Sequence, residues 1–148
     1  MFSNFLAVGA GGAIGAMGRY AVGLIPALQR GAFPLHTLLI NLGGAILIGM
    51  AVASAQRWTD LSPTLLLFWR VGICGGFTTF STFSLESLTL LENGRTGLFA
   101  LYALLSVALC LVGVWLGKGM VSGFAGELDG WFRKARCCLR ARPIPFGR

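Results

Sequence analysis

Hydrophobic residues of this 148-residue chain form four long stretches, and polar residues concentrate in the short segments between them. The stretches cover approximately residues 2–28, 35–55, 63–91 and 97–120. A helix needs about 20 apolar residues to cross the hydrocarbon core of a bilayer, so each stretch is long enough to span a membrane. Short connections force neighbouring helices to run antiparallel. The pattern predicts an all-α membrane protein with four transmembrane helices.

Composition indicates one membrane domain, residues 1–120, followed by a C-terminal tail, residues 121–148. Hydrophobic residues make up 55% of the chain and charged residues 11%, whereas soluble domains carry roughly 25% charged residues. We expect the first stretch to be a retained helix and not a cleaved signal peptide, because it lacks a positively charged start. The single histidine, His36, has no acid near it in sequence, which argues against an enzyme and against a zinc site.

The net charge of +7 is unevenly distributed along the chain. The segment up to Met120 holds six basic and three acidic residues, and the tail holds six basic and two acidic residues. A basic tail can bind nucleic acid, but in a membrane protein one with Trp131 and Phe132 more often lies against the anionic cytoplasmic leaflet. We therefore expect the lipid bilayer, and no nucleic acid, as the partner of the tail.

The third apolar stretch contains the most informative segment, in which Gly75 and Gly76 precede closely spaced hydroxyl and phenylalanine side chains. A continuous helix of about 29 residues would be about 43 Å long, and the hydrocarbon core is only about 30 Å thick. Paired glycines are poorly suited to a helix interior. We therefore predict that the third helix is broken near Gly75-Gly76. The break would free carbonyls of residues such as Gly75 and Thr78, which are potential cation ligands.

Phe77, Phe80 and Phe83 recur every three residues and are predicted to line one side of a helix that resumes after the glycines. Such a stripe alone is usually a packing surface. Here it alternates with hydroxyl-bearing residues, and the positive edge of an aromatic ring can contact an anion. Ring edges and hydroxyl donors would form weak sites, which an ion must be able to leave if it is to be conducted.

Two other stretches carry polar residues at the four-residue spacing of a single helix face. Each stripe alone is consistent with hydrogen bonds that hold helices together in lipid. Two such stripes in one small bundle also indicate a shared polar path. The stripes are Thr37-Asn41-Ala45-Gly49 and Tyr102-Ser106-Cys110.

Two charged residues within the apolar stretches need separate explanations. Arg19 lies far inside the first stretch, so it either serves a structural or electrostatic role within the bundle or extends to the membrane surface. Glu86 follows Phe83 by three residues. We expect it to be a solvated or hydrogen-bonded residue near the membrane surface, with no catalytic role.

Gly11 and Gly15 have a spacing that lets helices approach closely, which is an unspecific packing signal.

Three segments of the chain are more informative together than any is alone. They are Gly15-Ala16-Met17-Gly18-Arg19-Tyr20, Leu39-Ile40-Asn41-Leu42-Gly43-Gly44 and Gly75-Gly76-Phe77-Thr78-Thr79-Phe80-Ser81-Thr82-Phe83. Together they resemble the Fluc (CrcB) family of fluoride channels, and the resemblance extends over roughly residues 6–117. The third segment is highly specific, and the first two support it.

The resemblance implies a channel that lets fluoride leave the bacterial cytoplasm passively through the plasma (inner) membrane. It implies an antiparallel, dual-topology homodimer of four-helix subunits with two fluoride pores. It also implies a structural Na⁺ on the dimer axis, held by the main-chain carbonyls of Gly75 and Thr78. The residues that correspond to the fluoride pore are Phe80, Phe83, Asn41, Ser81, Thr82, Tyr102 and Ser106.

Two features depart from the family pattern, and two other function classes remain open. Cys110 stands where a hydroxyl is expected, and the tail is longer and more basic than is usual. A small multidrug-type exporter would need a carboxylate within the membrane, whereas Arg19 is the only charged residue of the first stretch. A non-transporting membrane assembly subunit would account for the glycine-rich helices but not for the segment from Gly75 to Phe80.

Overall fold

The computed structural model describes residues 1–58 and 60–123, which are helical apart from their connections. Within these residues, three continuous helices are long and apolar enough to cross a membrane. The third apolar segment is divided into shorter helices, with a π-helical stretch at Phe68–Ile73. The α-helices are α1 (Phe2–Gly23), α2 (Leu35–Arg57), α3 (Pro63–Leu67), α4 (Cys74–Phe77), α5 (Phe80–Glu92) and α6 (Thr96–Ser122). The all-α prediction is confirmed for the described part of the chain.

The third apolar segment is broken, but the break lies at Thr78 and Thr79. These residues have extended backbone, with φ/ψ of −80°/158° and −149°/118°. Gly75 and Gly76 belong to α4, and neither has a positive φ. The predicted break near Gly75-Gly76 is therefore confirmed, but it lies just after the glycine pair, which itself stays helical. Glycine marks a weak position in a helix, whereas the break forms where side chains can replace the lost backbone hydrogen bonds.

The glycines of the third segment allow its backbone to approach α1 closely. A methyl group added at Gly11 would lie 2.5 Å from the carbonyl oxygen of Phe68, and one added at Gly76 would lie 2.5 Å from that of Gly12. A methyl group at Gly15 would meet the backbone of Phe77 at 2.8 Å. All of these distances are too short for a side chain. The predicted close-packing role of Gly11 and Gly15 is confirmed.

Small residues also join α2 to α6. A methyl group at Gly113 would lie 2.9 Å from the side chain of Leu42, and one at Gly117 would lie 2.9 Å from the backbone of Ile46. Gly49, in the predicted stripe of α2, faces the backbone of α6 in the same way. Two pairs of closely packed segments, α1 with the broken segment and α2 with α6, therefore build the bundle.

The helix ends follow local sequence signals. The first helix ends at Gly23 and not near residue 28, because Ile25 precedes Pro26 and takes an extended conformation. A 3₁₀ turn, Pro26–Gln29, follows it. The last helix extends to Ser122, slightly beyond the predicted end at 120. The predicted basic tail lies outside the described residues from 124 onwards.

Candidate functional site

A cavity of about 420 Å³ lies at the break of the third segment. Residues on both sides of the break line it together with side chains from α2 and α6. The structure thus brings together residues predicted from three separate segments, but Ser81, Thr82 and Tyr102 do not line this cavity. The lining includes Asn41, Arg70, Gly75, Thr78, Thr79, Phe80, Phe83, Ser106 and Cys110.

Asn41 of α2 binds the backbone of the break with both ends of its amide. Its Oδ1 accepts a hydrogen bond from the N–H of Thr79 at 2.8 Å, and its Nδ2 donates to the C=O of Thr79 at 3.1 Å. This pairing fixes the orientation of the amide, because a peptide N–H only donates and a peptide C=O only accepts. An amide NH₂ has two hydrogens, so Asn41 keeps one to offer to a ligand in the cavity. Asn41 therefore joins two helices and can also contribute to a binding site.

Two backbone carbonyls at the break lose the partners that a continuous helix would give them. The N–H of Thr79, which would bond to Gly75 C=O in a helix, donates to Asn41. The N–H of Thr82, which would bond to Thr78 C=O, donates to the Oγ1 of Thr79 at 3.2 Å. Gly75 and Thr78 both line the cavity. The predicted loss of helical bonds at these two carbonyls is therefore explained by side chains that capture the N–H groups.

Arg19 of α1 reaches the break from the opposite side. Its Nη1 donates to the carbonyl oxygen of Thr78 at a long 3.4 Å, and the side chain is half-buried. Because α1 ends at Gly23, Arg19 lies about one turn from the end of the helix, where its guanidinium finds this backbone partner. This contact favours the predicted role inside the bundle over extension to the membrane surface.

The hydroxyls that follow the break cap the start of α5. The Oγ1 of Thr79 lies 3.2 Å from the Oγ of Ser81 and 3.0 Å from the Oγ1 of Thr82, and it accepts the Thr82 N–H. This is the bonding expected of an N-cap threonine. The sequence pattern alone did not indicate a site role for Thr79. The assignment of Ser81 and Thr82 to a fluoride pore stays a prediction.

Three aromatic rings form a ladder from the cavity into the bundle. The ring centroids of Phe80 and Phe83 are 5.5 Å apart, and those of Phe83 and Tyr102 are 5.0 Å apart. Tyr102 is fully buried, whereas Phe80 is 79% exposed on the surface of a single subunit. The ladder therefore connects the interior of the bundle to the cavity at the break.

Phe77 does not belong to this ladder. It lies before the break, in α4, and its ring packs over Gly18 of α1 and Gly43 of α2. The prediction that it shares a helix face with Phe80 and Phe83 was wrong, because the extended backbone at Thr78 and Thr79 interrupts the helical spacing.

Glu86 forms a hydrogen-bonded cluster at the inner end of the ladder. The hydroxyl of Tyr102 donates to its Oε2 at 2.7 Å, and the hydroxyl of Thr37 donates to its Oε1 at 2.8 Å. Sequence analysis expected a hydrogen-bonded Glu86 but did not connect it to the two stripes. Helical spacing already placed both residues on the faces of predicted site residues, since Glu86 follows Phe83 by three residues and Thr37 precedes Asn41 by four.

Ser106 is a buried hydroxyl that no residue in the described part of the chain hydrogen-bonds. It lines the cavity together with Cys110, which follows it by one helical turn. A buried polar group without a partner is costly, so its presence beside a cavity indicates a ligand or water. Ser106 and Asn41 thus bring potential donors from two helices to the lining of the same cavity.

Comparison with known sequences gives the family of the chain. A profile of the family described as CrcB-like protein, Camphor Resistance (CrcB), matches residues 6–118. The chain belongs to this family.

Named relatives agree with the family assignment. The fluoride-specific ion channel FluC of Geobacter sulfurreducens is 47% identical over 116 residues, which are 78% of this chain and 94% of that protein. The fluoride-specific ion channel FluC of Ruminiclostridium cellulolyticum is 42% identical over 123 residues, 82% of this chain and 95% of that protein. The chain is therefore a multi-pass membrane protein of a channel family and not an enzyme.

The contact between Asn41 and Thr79 yields a direct prediction. Replacing Asn41 with alanine leaves a buried peptide N–H and C=O unpaired, which should destabilise the protein by about 1–3 kcal/mol per unpaired group. Thermal unfolding in detergent measures the loss, and hydrogen exchange at the Thr79 amide should accelerate. Asn93→Ala is the control, because Asn93 is exposed and donates only to the Thr89 carbonyl within α5. Equal melting temperatures for the two variants would contradict the proposed role of Asn41.

Proposed function

We propose that this protein is a fluoride-selective ion channel, which lets fluoride leave the bacterial cytoplasm passively across the plasma membrane. The observation that supports this best is the ladder of Tyr102, Phe83 and Phe80, which runs from the Glu86 cluster to the cavity at the break. The relatives named as fluoride-specific ion channels support the choice of ion. No step requires a covalent intermediate or an energy source.

The proposed path replaces the hydration shell of the anion with protein donors of modest strength. Ring edges of Phe83 and Phe80 would offer weakly positive C–H groups. Asn41 and Ser106 would offer an amide and a hydroxyl hydrogen where the ladder reaches the cavity. Several weak sites in series allow an ion to enter and still leave.

Arg70 contributes a positive charge to the same region. It is exposed and lines the cavity one turn before Cys74. The sequence pattern alone indicated no role for Arg70. A cation at the edge of the cavity would raise the local anion concentration without replacing the weak sites of the path.

We propose that the cavity is closed by a second copy of the chain. Gly75 and Phe80 line it and are exposed in a single subunit, and the adjacent Thr78 carbonyl has lost its helical partner. Lipid cannot pair freed backbone groups, so irregular backbone at membrane depth is tolerated only against protein or a cavity. A homodimer through this face would cover them.

An antiparallel arrangement of the two copies is consistent with the charge distribution. Arg30 and Arg95 lie in the connections at one end of the bundle, and Arg57 and Lys118 lie near the other end. Cytoplasmic connections normally carry the excess of Lys and Arg. The balance between the ends gives the helical bundle itself little preference for one orientation, whereas the basic tail favours the orientation that places it in the cytoplasm. The family resemblance implies both orientations.

A structural Na⁺ fits the carbonyls of Gly75 and Thr78. Hard cations prefer oxygen ligands, and broken membrane helices commonly supply backbone carbonyls for Na⁺. The Gly75 carbonyl has lost its helical N–H partner, and the Thr78 carbonyl keeps only the long 3.4 Å contact from Arg19 Nη1. An added methyl group at Gly75 would meet no atom within 4 Å. The carbonyls of both copies in a dimer would coordinate the ion. The ion would replace the hydrogen bonds that these carbonyls have lost, and it would not be transported.

Fluoride flux from proteoliposomes tests the channel proposal. Vesicles loaded with potassium fluoride should release fluoride when a potassium ionophore is added, because the ionophore relieves the voltage that opposes passive anion exit. Vesicles loaded with potassium chloride should retain chloride. Equal release of both ions, or no fluoride release from folded protein, would refute the proposal.

Removal of Na⁺ tests the cation site independently of flux. Purified protein in potassium buffer should melt at a lower temperature than in sodium buffer, because the freed carbonyls would lose their ligand. Thr78→Ala should keep the sodium dependence, since the proposed ligand is the backbone carbonyl and the side-chain hydroxyl donates to Cys74. Identical melting curves and identical dimer content in the two buffers would rule out a structural Na⁺.

A further inference from the structure

His36 touches the Glu86 cluster and has no role in the path described so far. Its Nε2 lies 3.3 Å from the Oε1 of Glu86, and the two side chains are 28% and 19% exposed. His36 is at the start of α2, next to Thr37, which donates to the same oxygen. The imidazole is therefore accessible to protons while it contacts a carboxylate at the end of the ring ladder.

We propose that His36 is a positioning residue that makes conduction dependent on pH by controlling the charge of the Glu86 cluster; this rests on the proposed channel function. Glu86 carries a negative charge at the point where an anion would leave or join the ladder. The hydroxyl hydrogen of Tyr102 is given to Glu86 and is not offered to an anion. With a neutral imidazole, the cluster repels anions and holds back one of its donors.

Protonation of His36 reverses both effects. An imidazolium cancels the charge of the carboxylate, so the end of the ladder no longer repels an anion. It also lies within ion-pair distance of Oε1, at 3.3 Å, so Glu86 then attracts the hydroxyl hydrogens of Tyr102 and Thr37 less strongly. Conduction should therefore rise as pH falls.

Other ionisable groups near the cluster do not provide an equivalent control. Glu86 from α5 and Tyr102 from α6 are the titratable groups in contact with the imidazole or with its carboxylate partner. Arg30 and Arg95, the cations of the neighbouring connections, make no ion pair with Glu86 in the described part of the chain. The rings of Phe33 and Tyr102 meet edge to face, with centroids 5.6 Å apart.

Fluoride efflux from proteoliposomes at equal internal and external pH tests this inference, with leakage of neutral acid subtracted from protein-free vesicles. Between about pH 8 and about pH 6, wild-type efflux should rise about threefold to tenfold, the effect of cancelling one nearby unit charge. His36→Gln should lose the rise, and His36→Lys should show high efflux at both pH values. Glu86→Gln should show higher efflux than wild type at about pH 8, because the carboxylate that repels the anion is gone.

Arg57→Gln is the matched control. Arg57 is at the far end of α2, where it donates to the Val121 carbonyl, so this variant should keep the wild-type pH profile. Equal pH profiles for wild type and His36→Gln would overturn the inference and leave the channel proposal standing. A drop in efflux by the same factor at both pH values in His36→Gln would show a merely structural role and would also overturn it. No fluoride efflux from folded protein at either pH would overturn the channel proposal together with the inference.

Discussion

The structure depends on how the backbone is satisfied where the third segment breaks inside the membrane. Unpaired peptide groups in hydrocarbon cost several kcal/mol each. Asn41 hydrogen-bonds the N–H and the C=O of Thr79, and the Thr79 side chain accepts a hydrogen bond from the N–H of Thr82. These bonds stabilise the break, and they also leave the carbonyls of Gly75 and Thr78 without helical partners. One set of contacts therefore creates both the cavity and the candidate cation ligands.

The sequence was sufficient for the helical class, the membrane setting and the presence of a break. Hydropathy carries this information because each span must be long and apolar. The position of the break was not predictable from glycine content, since it depends on Asn41, a residue of another helix. The packing role of Gly76 against Gly12 is a tertiary contact, and it overrides the poor helix propensity of glycine.

Side-chain roles were predictable where helical spacing alone determines them. The stripe of Thr37 and Asn41 and that of Tyr102 and Ser106 do face the bundle interior. Helical spacing gave the wrong position for Phe77, because Phe77 and Phe80 lie on opposite sides of the break. The helical repeat does not continue through the extended backbone between them. The link between Glu86 and the two stripes could not be predicted from spacing, since the hydrogen-bond partners of Glu86 lie on two other helices, α2 and α6.

Whether the ring ladder conducts or only packs is decided most directly by replacing Phe83 with isoleucine and measuring fluoride efflux. Phe83 contacts Phe80 and Tyr102, so a conducting ladder should lose most of its flux while the protein remains folded. Phe5→Ile is the control, because Phe5 is 75% exposed on α1, away from the cavity. We expect Phe5→Ile to conduct like wild type and Phe83→Ile to be silent. Full flux through folded Phe83→Ile would show that the ladder is packing and not a path.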